Sequence, residues 1–223
     1  MSEAISLKKG QNISLKKVAP ALKEMIVGLG WKENSFDGAD FDLDASAIML
    51  GENGKVIDSN SVDGFIFYGN PESKCGSIKS TGDNQTGDAE GDDEQLIVDP
   101  SKIPANIKKV VFVVSIYEPK TRNQNFGMVD EAYIRLVDSR KLDSLLGGKK
   151  AEEFNSQELE EAYVKASVLK FDLTEKYSTE TAMVFAELYM HENEWKFKAV
   201  GQGFNNGLGG VGRNYGLPLK DEE

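Results

Sequence analysis

Asp40, Asp42 and Asp44 stand at alternate positions, with Phe41, Leu43 and Ala45 between them. In a strand alternate side chains share a face. Neighbouring carboxylates would then lie roughly 7 Å apart and repel one another while the opposite face is buried, a cost that a bound cation relieves. A second stretch, residues 81–94, supplies Asp83, Asn84, Asp92, Asp93 and Glu94 among glycines that let the backbone turn and present carbonyls. These are hard oxygen donors. Calcium takes six to eight of them in flexible geometry, whereas magnesium needs a tighter octahedron and keeps more water. The pattern is not an EF-hand: counting from Asp40, Ala45 replaces the turn glycine and Gly51 the closing glutamate, and counting from Asp83, Gly87 falls one place early. On the residues alone, two readings stand side by side: solvated acidic loops, the usual fate of a charge run, and a calcium site.

The chain has 223 residues and a formal charge of −11, and the two acidic stretches with their flanks, 33–52 and 83–99, hold 13 of its 37 acidic residues and no Lys or Arg. Such a surface repels a phosphate backbone, which is bound by clustered Lys and Arg, so nucleic acid is excluded as a partner. With one histidine, His191, and one cysteine, Cys75, a Cys/His zinc site cannot be assembled within one subunit. His191 has no evident nucleophile beside it and reads as a surface residue; Cys75, in a polar loop, reads as incidental. Trp31 and Trp195 sit in apolar runs and read as core. Residues 207–212 satisfy Gly-x-Gly-x-x-Gly, but a dinucleotide fold needs a further strand with an acid about 20 residues on, so the match is accidental.

Apolar runs punctuated by Gly, Asn and Asp predict strands at 25–31, 41–50, 64–68, 95–99, 110–117, 132–137, 168–173, 182–190 and 195–203. That spacing describes an antiparallel β-sandwich in a mostly β chain, with a few short helices and one helical insertion. ISLKK occurs at 5–9 and again at 13–17, which predicts a small hairpin. Residues 138–167 break the β rhythm. Leu159, Ala162, Tyr163 and Ala166 form one helical face behind Ser156 as N-cap, and the stretch reads as a surface excursion dispensable for folding and calcium binding. A single domain over 1–223 is expected. The chain opens without a basic and then apolar secretory segment, no apolar run nears the roughly 20 residues of a membrane helix, and the lone cysteine forms no internal disulfide; a cytoplasmic location and no integral membrane protein are expected.

The ordered motifs ISLKKGQNISL at 5–15, VGLGW at 27–31, DFDLDASA at 40–47, TGDN at 81–84, GDDE at 91–94, QNFG at 124–127 and EWKFKAVGQG at 194–203 resemble the TerD family over nearly the whole chain. The resemblance implies a β-sandwich with calcium (Ca2+) bound by acidic loops, a role in resistance to tellurite and other stresses, and other Ter-type proteins as partners. It carries ligand roles onto Asp42, Asp44, Asp83, Asn84, Asp92, Asp93 and Glu94, with Asp40 added by the alternation. The chain departs from the family pattern at 138–167 and in the glycine-rich tail. The expectation is a non-enzymatic calcium-binding module whose metal orders the acidic loops for protein interaction. The competing readings are a calcium-dependent hydrolase using an Asp/Glu pair and a lectin-like sugar binder.

Overall fold

The computed structural model describes residues 4–32, 41–82, 92–173 and 179–220. Asp40, Asp83 and Asn84 lie outside them. Two six-stranded sheets pack face to face as a β-sandwich. The first contains β1 (Ile5–Ser6), β10 (Ser167–Asp172), β9 (Asp130–Asp138), β3 (Met25–Lys32), β7 (Glu94–Val98) and β6 (Ile78–Ser80), in that order. The second runs β2 (Asn12–Ser14), β12 (Glu194–Phe204), β11 (Ala182–His191), β8 (Lys109–Ile116), β4 (Leu43–Leu50) and β5 (Phe65–Ile66). All neighbours are antiparallel except β1 and β10. The predicted strand runs all fall on strands. Their inward residues, among them Val27, Leu29, Leu96, Leu136, Leu43, Phe112, Val114 and Phe185, make the core between the sheets.

The N-terminal repeat does not form a hairpin. Its first half pairs with β10 in one sheet and its second with β12 in the other, so the two ISLKK copies close the same side of the sandwich from opposite layers. The link turns at Gly10, whose φ of +82° suits a residue without Cβ. Leu7 and Leu15 both enter the core, so each copy buries more than a free two-stranded ribbon could. Ser14 then caps α1 (Leu15–Val18) by accepting the Lys17 N–H.

Helices cover both outer faces, which explains why β3, β8 and β11 read as near-continuous apolar runs rather than alternating ones. Over the second sheet lies α5 (Gly207–Asn214), with Leu208 and Val211 on Ile48, Leu50, Val111 and Val113. The glycine-rich tail is therefore helical. Its glycines serve close packing: a Cβ at Gly209 would overlap the Lys220 carbonyl, and one at Gly212 the Leu219 side chain.

Over the first sheet lie α3 (Ser139–Leu146) and α4 (Ser156–Ala166). Asn155, one residue before the expected cap, accepts the Glu158 N–H while the Glu158 carboxylate accepts the Asn155 N–H. Leu142, Leu159, Ala162, Tyr163 and Ala166 are buried against Ile26 and Val137. This corrects the reading of 138–167 as a surface excursion. Each large apolar side chain buried there contributes about 1.5–3 kcal/mol, so the segment covers part of the core.

Candidate metal centre

Phe41 and Leu43 are 1% and 0% exposed and hold the start of β4 against the core, which turns Asp42 and Asp44 to the other face. Both carboxylates are buried, at 6% and 7% exposure, so their charge lies in the protein rather than in bulk water. The Asp42 carbonyl accepts the Tyr117 N–H at 2.8 Å. Its Oδ2 lies 3.5 Å from Arg122 Nη2, and the guanidinium stacks over the Tyr117 ring at 5.2 Å. Arg122 reaches there from α2 (Pro119–Arg122), a single turn flanked by Glu118 and Asn123 at φ +45° and +51°. Two non-glycine residues in the left-handed region beside buried acids are backbone strain of a kind that clusters at functional sites.

Glu94 begins β7 opposite Leu29, and its side chain turns inward, 5% exposed, to accept the Ala45 N–H of β4. β5 pairs with β4 only at Ala47 and Ile48, so past that point the Glu94 carboxylate does for β4 what a neighbouring strand would. Asp44 and Glu94 together line a cavity of about 250 Å³ with Tyr68, Ser80 and Gly82. Gly82 is the residue from which the second acidic stretch departs. Asp93 Oδ2 accepts the Trp31 N–H at 2.9 Å, close to where the first acidic stretch leaves β3.

Asp92 is placed elsewhere. In a regular strand 92 and 94 would share a face. Here the Asp92 carboxylate lies on the outer face of the first sheet, 2.6 Å from Arg135 Nε without the alignment of a hydrogen bond, and accepts the Tyr133 hydroxyl at 3.1 Å. Arg135 is 2% exposed and also holds Glu160 of α4 through two bonds of 2.9 and 2.8 Å. Its guanidinium is sandwiched between the Tyr133 and Tyr163 rings, at 5.4 and 4.9 Å. Burial pushes the Asp92 carboxyl up to about 6, against the opposing pull of Arg135 and Tyr133. The expected ligand Asp92 is thus separated from Asp44 and Glu94 by the sheet itself, its charge balanced from within the chain.

Sequence reasoning missed Arg135, Tyr133 and Glu160. The signal was VGLGW: a Cβ at Gly28 would overlap the Asp92 carboxylate, and one at Gly30 the Tyr133 ring. Among the described residues no group of three or more His, Cys, Asp and Glu is gathered closely enough to hold a metal. Of the expected set, Asp44 and Glu94 meet in one cavity, Asp42 and Asp93 stand just before β4 and β7, and Asp92 does not join them. His191 is exposed where β11 ends, at a two-residue turn of Glu192 and Asn193, both with positive φ. A largely apolar cavity of about 300 Å³ lies away from these acids, between Met49, Val56, Ile57, Phe65, Ile107 and Cys75. Burial raises the Cys75 thiol, but contacts from the Ser77 and Ser73 hydroxyls outweigh it and leave the thiol below its ordinary value.

A two-sheet sandwich with helices on both outer faces, and buried carboxylates converging where β4 meets β7, defines the class. The TerD domain model matches residues 3–160 and 157–215, and the chain belongs to the TerD family. It is 45% identical to the tellurium resistance protein TerD of Serratia marcescens, over 96% of this chain and 98% of that protein. It is 42% identical to the general stress protein 16U of Bacillus subtilis, over 96% and 98%. A solved homologue of telluride resistance protein (TerD) from Streptomyces coelicolor A3(2) superposes with a TM-score of 0.60 at 17% identity, covering 84% of this chain and 94% of that one, a likeness of fold. Among the described residues no helix is long and apolar enough to cross a membrane.

Proposed function

We propose that this TerD protein binds calcium where β4 meets β7, and that the ion orders the acidic stretches as a surface for partner proteins in a tellurite- and stress-resistance response. The observation that carries the reading is the shared cavity: Asp44, Glu94 and the departure point of the second acidic stretch, Gly82, line one space. The donor chemistry fits. Carboxylate oxygens suit calcium, and the chain's single histidine and single cysteine leave little for zinc or copper. Asp44 and Glu94 would hold the ion, with Asp42 and Asp93 beside them and Asp40, Asp83 and Asn84 as further donors from the two stretches. The resistance role rests on relatives named for tellurium resistance and general stress, and other Ter-type proteins are the partners proposed.

The proposed activity is binding rather than catalysis. Calorimetric titration tests it: calcium should bind with defined stoichiometry to the wild type, displace magnesium, and bind at least tenfold more weakly to Asp44→Asn/Glu94→Gln. A wild type that takes up no calcium ends the reading. Turnover that survives calcium removal would favour a catalyst.

A further inference from the structure

Between residues 92 and 94 the chain breaks the alternation that a strand would impose. Asp92 lies on the outer face of the first sheet, over Gly28, while Glu94 lies on the inner face and reaches across to β4. Only Asp93 separates them, and it is tied to the Trp31 N–H. A carboxylate is drawn out of a strand's regular path by whatever holds it. Here that is Arg135, 3% exposed in its side chain, with Nε against Asp92 and its two terminal nitrogens on Glu160. A guanidinium can address two carboxylates at once in fixed geometry, which a lysine ammonium cannot. Glu160 comes from α4, so the helical segment braces the arginine from outside, and the Gln95 amide, 2.8 Å from the Tyr163 hydroxyl and 3.5 Å from Asp92 Oδ2, closes the cluster.

We propose that Arg135 is a positioning residue for the inner carboxylates: by holding Asp92 on the outer face, braced by Glu160, it turns Glu94 onto Ala45 and Asp93 onto Trp31. The consequence for calcium rests on the reading above, but the positioning itself can be followed without any metal. Two backbone amides report it, because the Ala45 and Trp31 N–H groups are held by the Glu94 and Asp93 side chains. Leu188, in β11 and paired on both sides, serves as a remote reference.

The experiment is hydrogen exchange by NMR on calcium-free, full-length protein, with calcium calorimetry alongside. In Arg135→Met, Asp92 is left buried without its cation. Protection at Ala45 and Trp31 should fall at least tenfold relative to Leu188, and calcium affinity about tenfold. Adding Asp92→Asn removes the uncompensated charge while keeping a side chain that can bond Tyr133, and should restore both to within about threefold. If Arg135→Met does not fold, Glu160→Gln, on a half-exposed side chain, should give the same local loss at about threefold. Unchanged protection at Ala45 and Trp31 in the variants that fold, or a loss shared equally by Leu188 and not repaired by Asp92→Asn, overturns the proposal. A wild type that binds no calcium ends the calcium reading and leaves the exchange result to decide the positioning.

Discussion

Asp92 and Glu94 are of the same chemistry and two positions apart, yet the protein supplies them with opposite surroundings. Asp92 is enclosed with a guanidinium, two tyrosines and a glutamine on the outer face of the first sheet. Glu94 shares a cavity with a second buried acid, Asp44, beside the two acidic stretches. Burying a carboxylate costs several kcal/mol unless its charge is met. For Asp92 the counter-charge is built into the chain, which suits a structural anchor. For the Asp44 and Glu94 pair an ion from solution is the proposed complement, which suits a regulated site. Counting acids along the sequence merges the two; separating them requires knowing which face each occupies.

The largest effect should come from the anchored side. Arg135→Met leaves Asp92 buried and unmatched, so it should cost about 3–5 kcal/mol. For a domain of this size that lowers the melting temperature by roughly 6–20 °C in calcium-free buffer. Glu94→Gln under the same conditions should melt at or above the wild type, because it removes one of two neighbouring charges and keeps an acceptor for Ala45. Equal losses in the two variants would erase the distinction between the two sites.

At the cavity shared by Asp44 and Glu94 the effect should appear only with metal. Calcium at 100 times its dissociation constant stabilises a folded state that alone binds it by about 2.7 kcal/mol. Between chelator and calcium the wild type should therefore gain about 5–10 °C, Asp44→Asn/Glu94→Gln almost nothing, and Asp92→Asn nearly the full shift. An Asp92→Asn protein deaf to calcium would return Asp92 to the ligand set.

The Asp92 site carries its own response to acid. The Asp92 carboxyl is raised to about 6 in the folded state against 3.8 in the free residue. Between those values the folded state holds a proton that the unfolded chain has lost, so this group favours folding more as the pH falls through 6, the reverse of a salt-bridged acid of lowered pKa. Relative to Asp92→Asn, calcium-free wild type should be about 2 kcal/mol better off at pH 4.5 than at pH 7, read from denaturant midpoints. A flat difference would mean that Arg135 keeps Asp92 ionised throughout.

Nine strands were legible because apolar runs between Gly, Asn and Asp fix them locally, while the three-residue β6 (Ile78–Ser80) was not; the first acidic run was legible too, where Phe41 and Leu43 dictate the facing of Asp42 and Asp44. Pairings set by distant residues were not. The two ISLKK copies look like partners until β10 and β12 claim one each. Residues 207–214 carry no local helix signal, since glycine disfavours helix by about 1 kcal/mol each, and only the chain returning at Leu217 to Lys220 shows why the glycines are needed. The facing of Asp92 was hidden for the same reason: Arg135 is 43 residues away in sequence, and the local trace of it, glycine at 28 and 30, marks a space without naming what fills it.

The smallest predicted effect concerns Arg122, a cation that the chain itself places beside Asp42. Arg122 approaches Asp42 at 3.5 Å, longer than the contacts Arg135 makes, and its side chain is 26% exposed where that of Arg135 is 3%. A partly solvated guanidinium beside the proposed calcium site would add repulsion toward the ion without filling the site. Arg122→Gln should then raise calcium affinity by about two- to fivefold at low ionic strength, about 0.4–1 kcal/mol. The gain should shrink toward nothing near 1 M salt, where the screening length is about 3 Å. Because Gln keeps a donor for Asp42, the variant should melt within about 1 °C of the wild type without metal, an effect of under about 0.5 kcal/mol. A several-fold loss of affinity would reverse the assignment: Arg122 would then be orienting Asp42 as a ligand, much as Arg135 holds Asp92, and both sites would depend on an arginine.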